Sequence, residues 1–244
     1  MKKVIIIGAT SGIGKELAKL YVQAGCLVGI TGRRKELLES LKDAYPNNIY
    51  TECFDVTGPN NLLHLQSLIN QLAGLDILIY NSGFGEPSKM PEWEIDKQTT
   101  LTNVNGFVEI VNIAFRYFWQ QGHGQIAGIS SIASNRGNSW APAYSASKAF
   151  ISTYLEGLHM KVARLKLPSG EKPRIFISDI QPGFVKTKLA KGNRQFWVAP
   201  VGKAANQIFK AIQHKRRKTY ITQRWWLIAK IIQNMPYFIY KRIG

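Results

Sequence analysis

A tyrosine and a lysine four residues apart, in Tyr144-Ser145-Ala146-Ser147-Lys148, are the residues of this chain best suited to acid–base chemistry. They open a long amphipathic stretch, and i, i+4 spacing on a helix brings two side chains together on one face. A free tyrosine, with a pKa near ~10, is a poor base at neutral pH. A neighbouring ammonium and a cationic ring both favour phenolate, so a tyrosine between them can give or take a proton at working pH. Ser131 closes an apolar run thirteen residues earlier. Its hydroxyl can hydrogen-bond a substrate oxygen beside the phenol. Alone, Tyr and Lys at this spacing are usually a surface pair, so their meaning depends on what else the chain places beside them.

Two further groups supply that context. Gly8-Ala9-Thr10-Ser11-Gly12-Ile13-Gly14 follows the first apolar run and opens the first helical stretch. At a strand-to-helix turn, glycines allow a sharp bend, close approach of backbone to a pyrophosphate, and tight helix–strand packing. The second apolar run ends in Thr31-Gly32-Arg33-Arg34. An NAD site usually has Asp or Glu there, accepting from the ribose 2′-hydroxyl. Two guanidiniums instead suit a phosphate, because the fork is planar and always charged. Arg33 is the expected 2′-phosphate ligand with Arg34 as helper, which makes NADP(H) the expected cofactor.

The elements that position these groups alternate along the chain. Apolar runs at Val4–Ile7, Leu27–Thr31, Ile49–Phe54, Leu75–Tyr80, Gln125–Ser130, Arg174–Ile180 and Thr219–Thr222 read as strands. Gly12–Ala24, Lys35–Ala44, Asn61–Leu72, Val104–Gln120, Ala143–Lys166 and Lys203–Gln213 read as helices. Repeating βα units with wholly apolar strands imply an α/β fold: a doubly wound, Rossmann-type parallel sheet of about seven strands, with helices on both faces. At 244 residues, one domain is expected over 1–223, with a distinct tail over 224–244.

Composition removes several classes. The two cysteines, Cys26 and Cys53, are far apart, each in an apolar run, and read as two buried thiols of a reducing cytosol. No Cys/His cluster indicates a metal site. No run of 18 apolar residues predicts a bilayer span, and the short apolar stretch after Met1-Lys2-Lys3 runs straight into the glycine loop rather than reading as a signal peptide. The net charge is +17, and Lys186–Gly244 holds 14 Lys and Arg with no Asp or Glu. Such a lopsided surface attracts an anionic partner.

Taken together, these motifs resemble the short-chain dehydrogenase/reductase family over about residues 3–222. Gly8, Gly12 and Gly14, with Thr10, Ser11 and Ile13 between them, match its TGxxxGxG loop, although Ile7 stands where Thr leads. The resemblance implies that Asp55 and Val56 contact adenine. It aligns Asn81-Ser82-Gly83 with the family's NAG stretch, Ser82 replacing the usual Ala. It makes Asn105, in Asn103-Val104-Asn105-Gly106, the catalytic asparagine, whose main-chain carbonyl holds a water. It assigns Pro182, Gly183, Val185 and Thr187 to the PG motif beside the nicotinamide, the Thr bonding its carboxamide. The implied catalytic set is Asn105, Ser131, Tyr144 and Lys148, with Tyr144 and Lys148 also touching the cofactor. The implied reaction interconverts a carbonyl and an alcohol, and the implied assembly is a dimer or tetramer paired through Val104–Gln120 and Ala143–Lys166.

Lys188–Ala199 falls where the family has its substrate loop and carries Lys191, Arg194, Phe196 and Trp197. Aromatics there suit a lipophilic small-molecule substrate, though they equally suit lid packing. In the tail, Trp225, Ile228, Ile232 and Met235 recur at helical spacing opposite Lys230, Gln233 and Asn234, with Pro236 as a breaker. Three uses compete for this segment: attachment to an anionic membrane surface by a cytoplasmic protein, packing on the chain's own core or a second subunit, and nucleic-acid binding. The last has no recognised module behind it. Two rival functions also stand beside the reductase. A nucleotide-binding scaffold without turnover need not keep Ser131, Tyr144 and Lys148. An epimerase or dehydratase usually has a larger C-terminal substrate region.

Overall fold

The computed structural model describes residues 1–187 and 196–242. Seven strands form one parallel sheet: β1 (Lys3–Ile7), β2 (Leu27–Gly32), β3 (Ile49–Cys53), β4 (Ile77–Tyr80), β5 (His123–Ile129), β6 (Arg174–Pro182) and β7 (Lys218–Ile221). Their order is β3-β2-β1-β4-β5-β6-β7, so the winding direction reverses between β1 and β4. Ligands of doubly wound sheets bind at that reversal, outside the carboxyl ends of the strands.

Alternation along each strand divides the interior in two. Val4 and Ile6 face one core with Leu17 of α1 (Gly12–Gln23), Leu38 of α2 (Lys35–Ala44) and Ile208 of α7 (Val201–Gln213). Ile5 and Ile7 face the other, with Leu65 of α3 (Asn61–Leu72), Phe107 of α5 (Gly106–Gln121) and Leu155 of α6 (Pro142–Arg164). A strand buried on both faces has no use for polar residues, which explains why β1 reads as an unbroken apolar run. Ile7, the residue in place of the loop's leading Thr, is fully buried in the second core.

The departures from the sequence reading are local. A helix α4 (Trp93–Thr100), polar along most of its length, was not expected; its first turn carries Glu94 and Asp96 and its last Lys97. It leads into a π-helical turn, Leu101–Asn105, before α5 starts. The chain expected as one helix from Val104 is therefore irregular at its beginning. Cys26 is buried but Cys53 is exposed, because β3 is an edge strand whose last residue has no cover on its outer side. After β7 come α8 (Trp225–Asn234) and a short α9 (Tyr237–Tyr240). Trp225 and Ala229 of α8 are buried. No helix among the described residues is long and apolar enough to cross a membrane.

Candidate active site

Ser131 immediately follows β5 and its side chain accepts from the Ala133 amide at 3.1 Å, capping a 3-10 turn over Ile132–Asn135. Pro142 sits in the first turn of α6, where its missing N–H costs nothing. One turn of α6 then separates Tyr144 from Lys148. The Tyr144 ring lies against Gly85, in the loop after β4. Burial pushes its phenol above the ordinary value, while a hydrogen bond with Ser131 pulls the other way. The phenol therefore carries its proton at neutral pH, opposite to the shift expected from a neighbouring ammonium. The reason is geometric: Lys148 Nζ is 5.7 Å from the ring centroid and donates instead to the Ile129 carbonyl at 3.0 Å.

Lys148 is 2% exposed. Removal from water lowers its pKa to about 8, and the field of Asp179 partly offsets that. Asp179 is itself buried, accepting from Ser130 Oγ, from Ser152 Oγ at 2.6 Å and from Gln181 Nε2 at 2.8 Å. A hydrogen-bonded carboxylate in the layer beneath thus acts electrostatically on the site lysine.

The structure places the two asparagines of this stretch on different sides. Asn105 is exposed, on the same side of the helix as Glu109. Asn103 is fully buried and faces the site. Its Oδ1 accepts from the Phe84 amide at 2.8 Å; its Nδ2 donates to the Phe84 carbonyl at 2.8 Å and to Ser147 Oγ at 2.9 Å. A methyl added to Gly83 would lie 3.3 Å from Lys148 Nζ and 3.6 Å from Asn103 Oδ1, so lysine and asparagine converge on one spot. Periodicity carries the signal that separates the two: Asn103, Phe107, Ile110 and Ala114 share the buried face.

At the sheet reversal an open groove of about 270 Å³ is lined by the glycine loop, Arg33, Arg34, Asp55, Val56, Asn81, Ser82, Gly83 and Thr187, with Phe54, Phe84 and Thr102 also on its wall. The Gly8 and Ala9 amides donate to the Thr31 carbonyl at 3.2 and 2.8 Å, and Asn81 Nδ2 donates to the Gly8 carbonyl at 2.7 Å. A Cβ on Gly14 would overlap that same carbonyl, so only glycine lets the helix start this close to the loop. Ser82 packs directly on Gly8. The α1 N-terminus opens onto the groove with its first amides free of side-chain caps, an anion site by dipole and donors.

The two arginines are held differently. Arg34 donates to Thr10 Oγ1 and, at 2.9 Å, to Ser11 Oγ, so its head group already rests on the glycine loop. Arg33 is more exposed and pairs with Asp55 at 3.3 Å. Burial alone would raise the Asp55 carboxyl; hydrogen bonds from Thr57 and the Arg33 charge bring it below its ordinary value. The glycine cradle, the flanking cations and the buried lysine together fit a phosphorylated dinucleotide.

Pro182 ends β6, Val185 is bridged to Ala199, and Thr187 rests on Gly12, which closes the PG segment over the groove. Gly183 has no room for a side chain because the Trp225 indole occupies that space. Trp225 also meets Phe184, Phe196 and Trp197, with ring centroids 5.6, 5.0 and 5.9 Å away. Arg224 stacks on Trp197 and donates to its carbonyl at 3.2 Å. Lys191 and Arg194, also expected in the substrate loop, lie outside the described residues. Trp225 was read from the sequence only as part of a helical stripe. Nothing in its spacing pointed to Gly183, 42 residues earlier.

Comparison with known proteins agrees with this geometry. The family described as short chain dehydrogenase matches residues 2–196. An uncharacterized oxidoreductase of Myxococcus xanthus is 32% identical over 195 residues, spanning 78% of this chain and 74% of that one. The NADP-dependent 3-hydroxy acid dehydrogenase YdfG of Escherichia coli is 29% identical over 222 residues, 89% of this chain and 80% of the relative. Among solved structures, a short-chain dehydrogenase from Sphingobium yanoikuyae in complex with NADPH superposes with a TM-score of 0.79, covering 96% of this chain and 95% of that one at 22% identity, a likeness of fold.

Proposed function

The chain belongs to the short-chain dehydrogenase family, and on that footing we propose that it is an NADP(H)-dependent oxidoreductase that interconverts a lipophilic carbonyl compound and a secondary alcohol. The observation that carries this reading is the Ser131–Tyr144–Lys148 set, whose buried lysine lies against Gly83 on the wall of the groove flanked by Arg33 and Arg34. Bound in that groove, the cofactor would supply the hydride for the carbonyl carbon. Ser131 and Tyr144 hold the carbonyl oxygen, and Tyr144, whose phenol is protonated at neutral pH, donates the proton that turns it into a hydroxyl. Lys148, one helical turn from Tyr144, would offset the charge of the phenolate left behind and would hold the nicotinamide ribose. Asn103, in the place first given to Asn105, fixes the Phe84 backbone on the wall of the site. Arg33 and Arg34 would take the 2′-phosphate, in keeping with the NADP dependence of the YdfG relative.

The lipophilic substrate is inferred from Phe184, Phe196, Trp197 and Trp225 around the PG segment. Pairing into a dimer or tetramer through α5 and α6 is supported by exposed Phe150 and Met160 on α6. A scaffold without turnover is the rival reading, and one measurement separates them. With NADPH and a panel of hydrophobic ketones and aldehydes, loss of cofactor absorbance is expected for the native chain. Tyr144→Phe should lower turnover by about 10²–10⁴-fold while still binding NADPH. Near-native turnover by that variant would overturn the mechanism, and no turnover of any carbonyl by the native chain would favour the scaffold.

A further inference from the structure

The inner face of α8 is fully used. Trp225 and Ala229 are buried, Arg136 donates to the Ile232 carbonyl at 2.9 Å and to the Met235 carbonyl, and Gln233 Nε2 donates to Asn135 Oδ1 at 2.6 Å. Tyr240 Oη donates to the Gly137 carbonyl at 2.6 Å, and the Arg136 guanidinium lies 4.4 Å from the centre of its ring. These bonds fix which side of the tail looks outward. Large apolar side chains dominate that outward side, beside exposed Lys230 and Asn234: Trp226 and Leu227 are each 54% exposed, Ile231 47% and Phe238 64%. A tail serving only to pack on the core would place such residues inward and show polar groups to water.

The charge around this face has one sign. Arg224, Lys230, Lys241 and Arg242 flank it, and no Asp or Glu occurs between Lys186 and Gly244. Trp and Tyr mixed with Lys and Arg on a short amphipathic helix suit the boundary between headgroups and acyl chains. Two other candidates are excluded. Lys215–Lys218 lies at the opposite, amino end of β7, and there Arg217 faces Glu156 and Lys218 faces Asp179. Met90 and Trp93 are exposed too, but Glu92 and Glu94 stand beside them.

We propose that the outward face of α8 and α9 docks the protein on an anionic lipid surface, with the substrate entrance turned toward the lipid. The second half of that statement rests on the reductase reading. It follows from topology: α8 starts just beyond the carboxyl end of β7, and Arg136, which grips it, lies in the segment between Ser131 and Tyr144. Trp225 joins the same helix to Phe196 and Trp197 of the substrate loop. A lipid-dissolved carbonyl compound can then enter without crossing water.

The test is vesicle flotation of the full chain, because a chain ending before Trp225 would also lose its packing on Gly183. The native protein should float with vesicles of equal parts phosphatidylcholine and phosphatidylglycerol. It should float at least about tenfold less with phosphatidylcholine alone, since each basic residue near an anionic surface adds several-fold to binding. Leu227→Glu/Ile231→Glu, two outward positions, and separately Lys230→Glu/Lys241→Glu, should each lose about tenfold or more with the mixed vesicles. Reduction of a water-soluble carbonyl by all of them should stay within about twofold of native, as expected for surface changes away from the site. Tyr144→Phe should float as the native protein does, so failure of docking and failure of the reductase reading are told apart. Equal flotation with both vesicles, flotation with neither, or native-like flotation of both double variants would overturn the docking proposal. So would sedimentation showing a native dimer that Leu227→Glu/Ile231→Glu converts to monomer, since the face would then belong to a second copy of the chain.

Discussion

The cofactor groove and the substrate rim lie at the same edge of one sheet and are built on opposite principles. The groove is made of backbone: the Thr31 carbonyl gathers the Gly8 and Ala9 amides, and Asn81 ties down the Gly8 carbonyl. The rim is made of rings: Phe184, Phe196, Trp197 and Trp225 hold one another across segments distant in sequence. A backbone-built site asks only that a few positions be small, and its neighbours are free to vary. A ring-built site depends on the volume and shape of each member, because close-packed interiors transmit the loss of any one. A groove of this kind can therefore serve many relatives unchanged, while under the proposed function the rim would be where the substrate is set.

The largest expected effect tests the rim. Trp225→Ala removes a buried indole contacting three rings and should cost about 3–5 kcal/mol by chemical unfolding, with KM for the carbonyl rising more than KM for NADPH. If both rise equally, rim and groove are one unit and the contrast fails. Next comes the wall between them. Asn103→Ala leaves the Phe84 amide and carbonyl without their side-chain partner and should cost about 3 kcal/mol, with a marked loss of turnover. Asn105→Ala, on the exposed side, should stay within about 0.5 kcal/mol. In the groove, Arg33→Ala/Arg34→Ala should raise KM for NADPH by about 10–100-fold through lost charged hydrogen bonds. KM for NADH should barely move, and the fold should be intact by circular dichroism.

The smallest effect is in pH. Lys148 is charged below about pH 8 and neutral above it, so kcat/KM for reduction should fall as pH rises through that value. Stability should move the other way. The folded pKa is below the unfolded one, so the unfolded chain binds more protons between about pH 8 and the ordinary lysine value of 10.5, and this lysine makes the fold more stable as pH rises through that window. Asp179→Asn removes the field that partly restores the ammonium and should shift the fall in kcat/KM to lower pH.

Most of the scaffold was legible in the sequence because its signals are local. A strand covered on both faces must be apolar throughout, and Val4–Ile7 says so; a loop that nearly touches a helix start must be glycine, and Gly14 says so. Tyr144, Lys148 and Ser131 were found through spacing on one helix and at one strand end. What was missed is non-local or irregular. The π-helical turn at Leu101–Asn105 hid which asparagine faces inward, although Asn103, Phe107 and Ile110 carried the period. Lys148 was expected to lower the Tyr144 pKa, but the Ile129 carbonyl draws its ammonium away. Trp225 and Gly183 meet only in three dimensions. The exposure of Cys53 follows from β3 being an edge, which order along the chain does not reveal.

The overlap between the Trp225 indole and the space beside Gly183 has a consequence for biosynthesis. Translation delivers β1 to β4 first, and with them most of the residues of the groove, well before the ribosome reaches α8. The wedge under the PG segment comes from α8, 42 residues beyond Gly183. Until α8 has been made, the space beside Gly183 lacks its indole and the ring cluster with Phe184 and Phe196 cannot close.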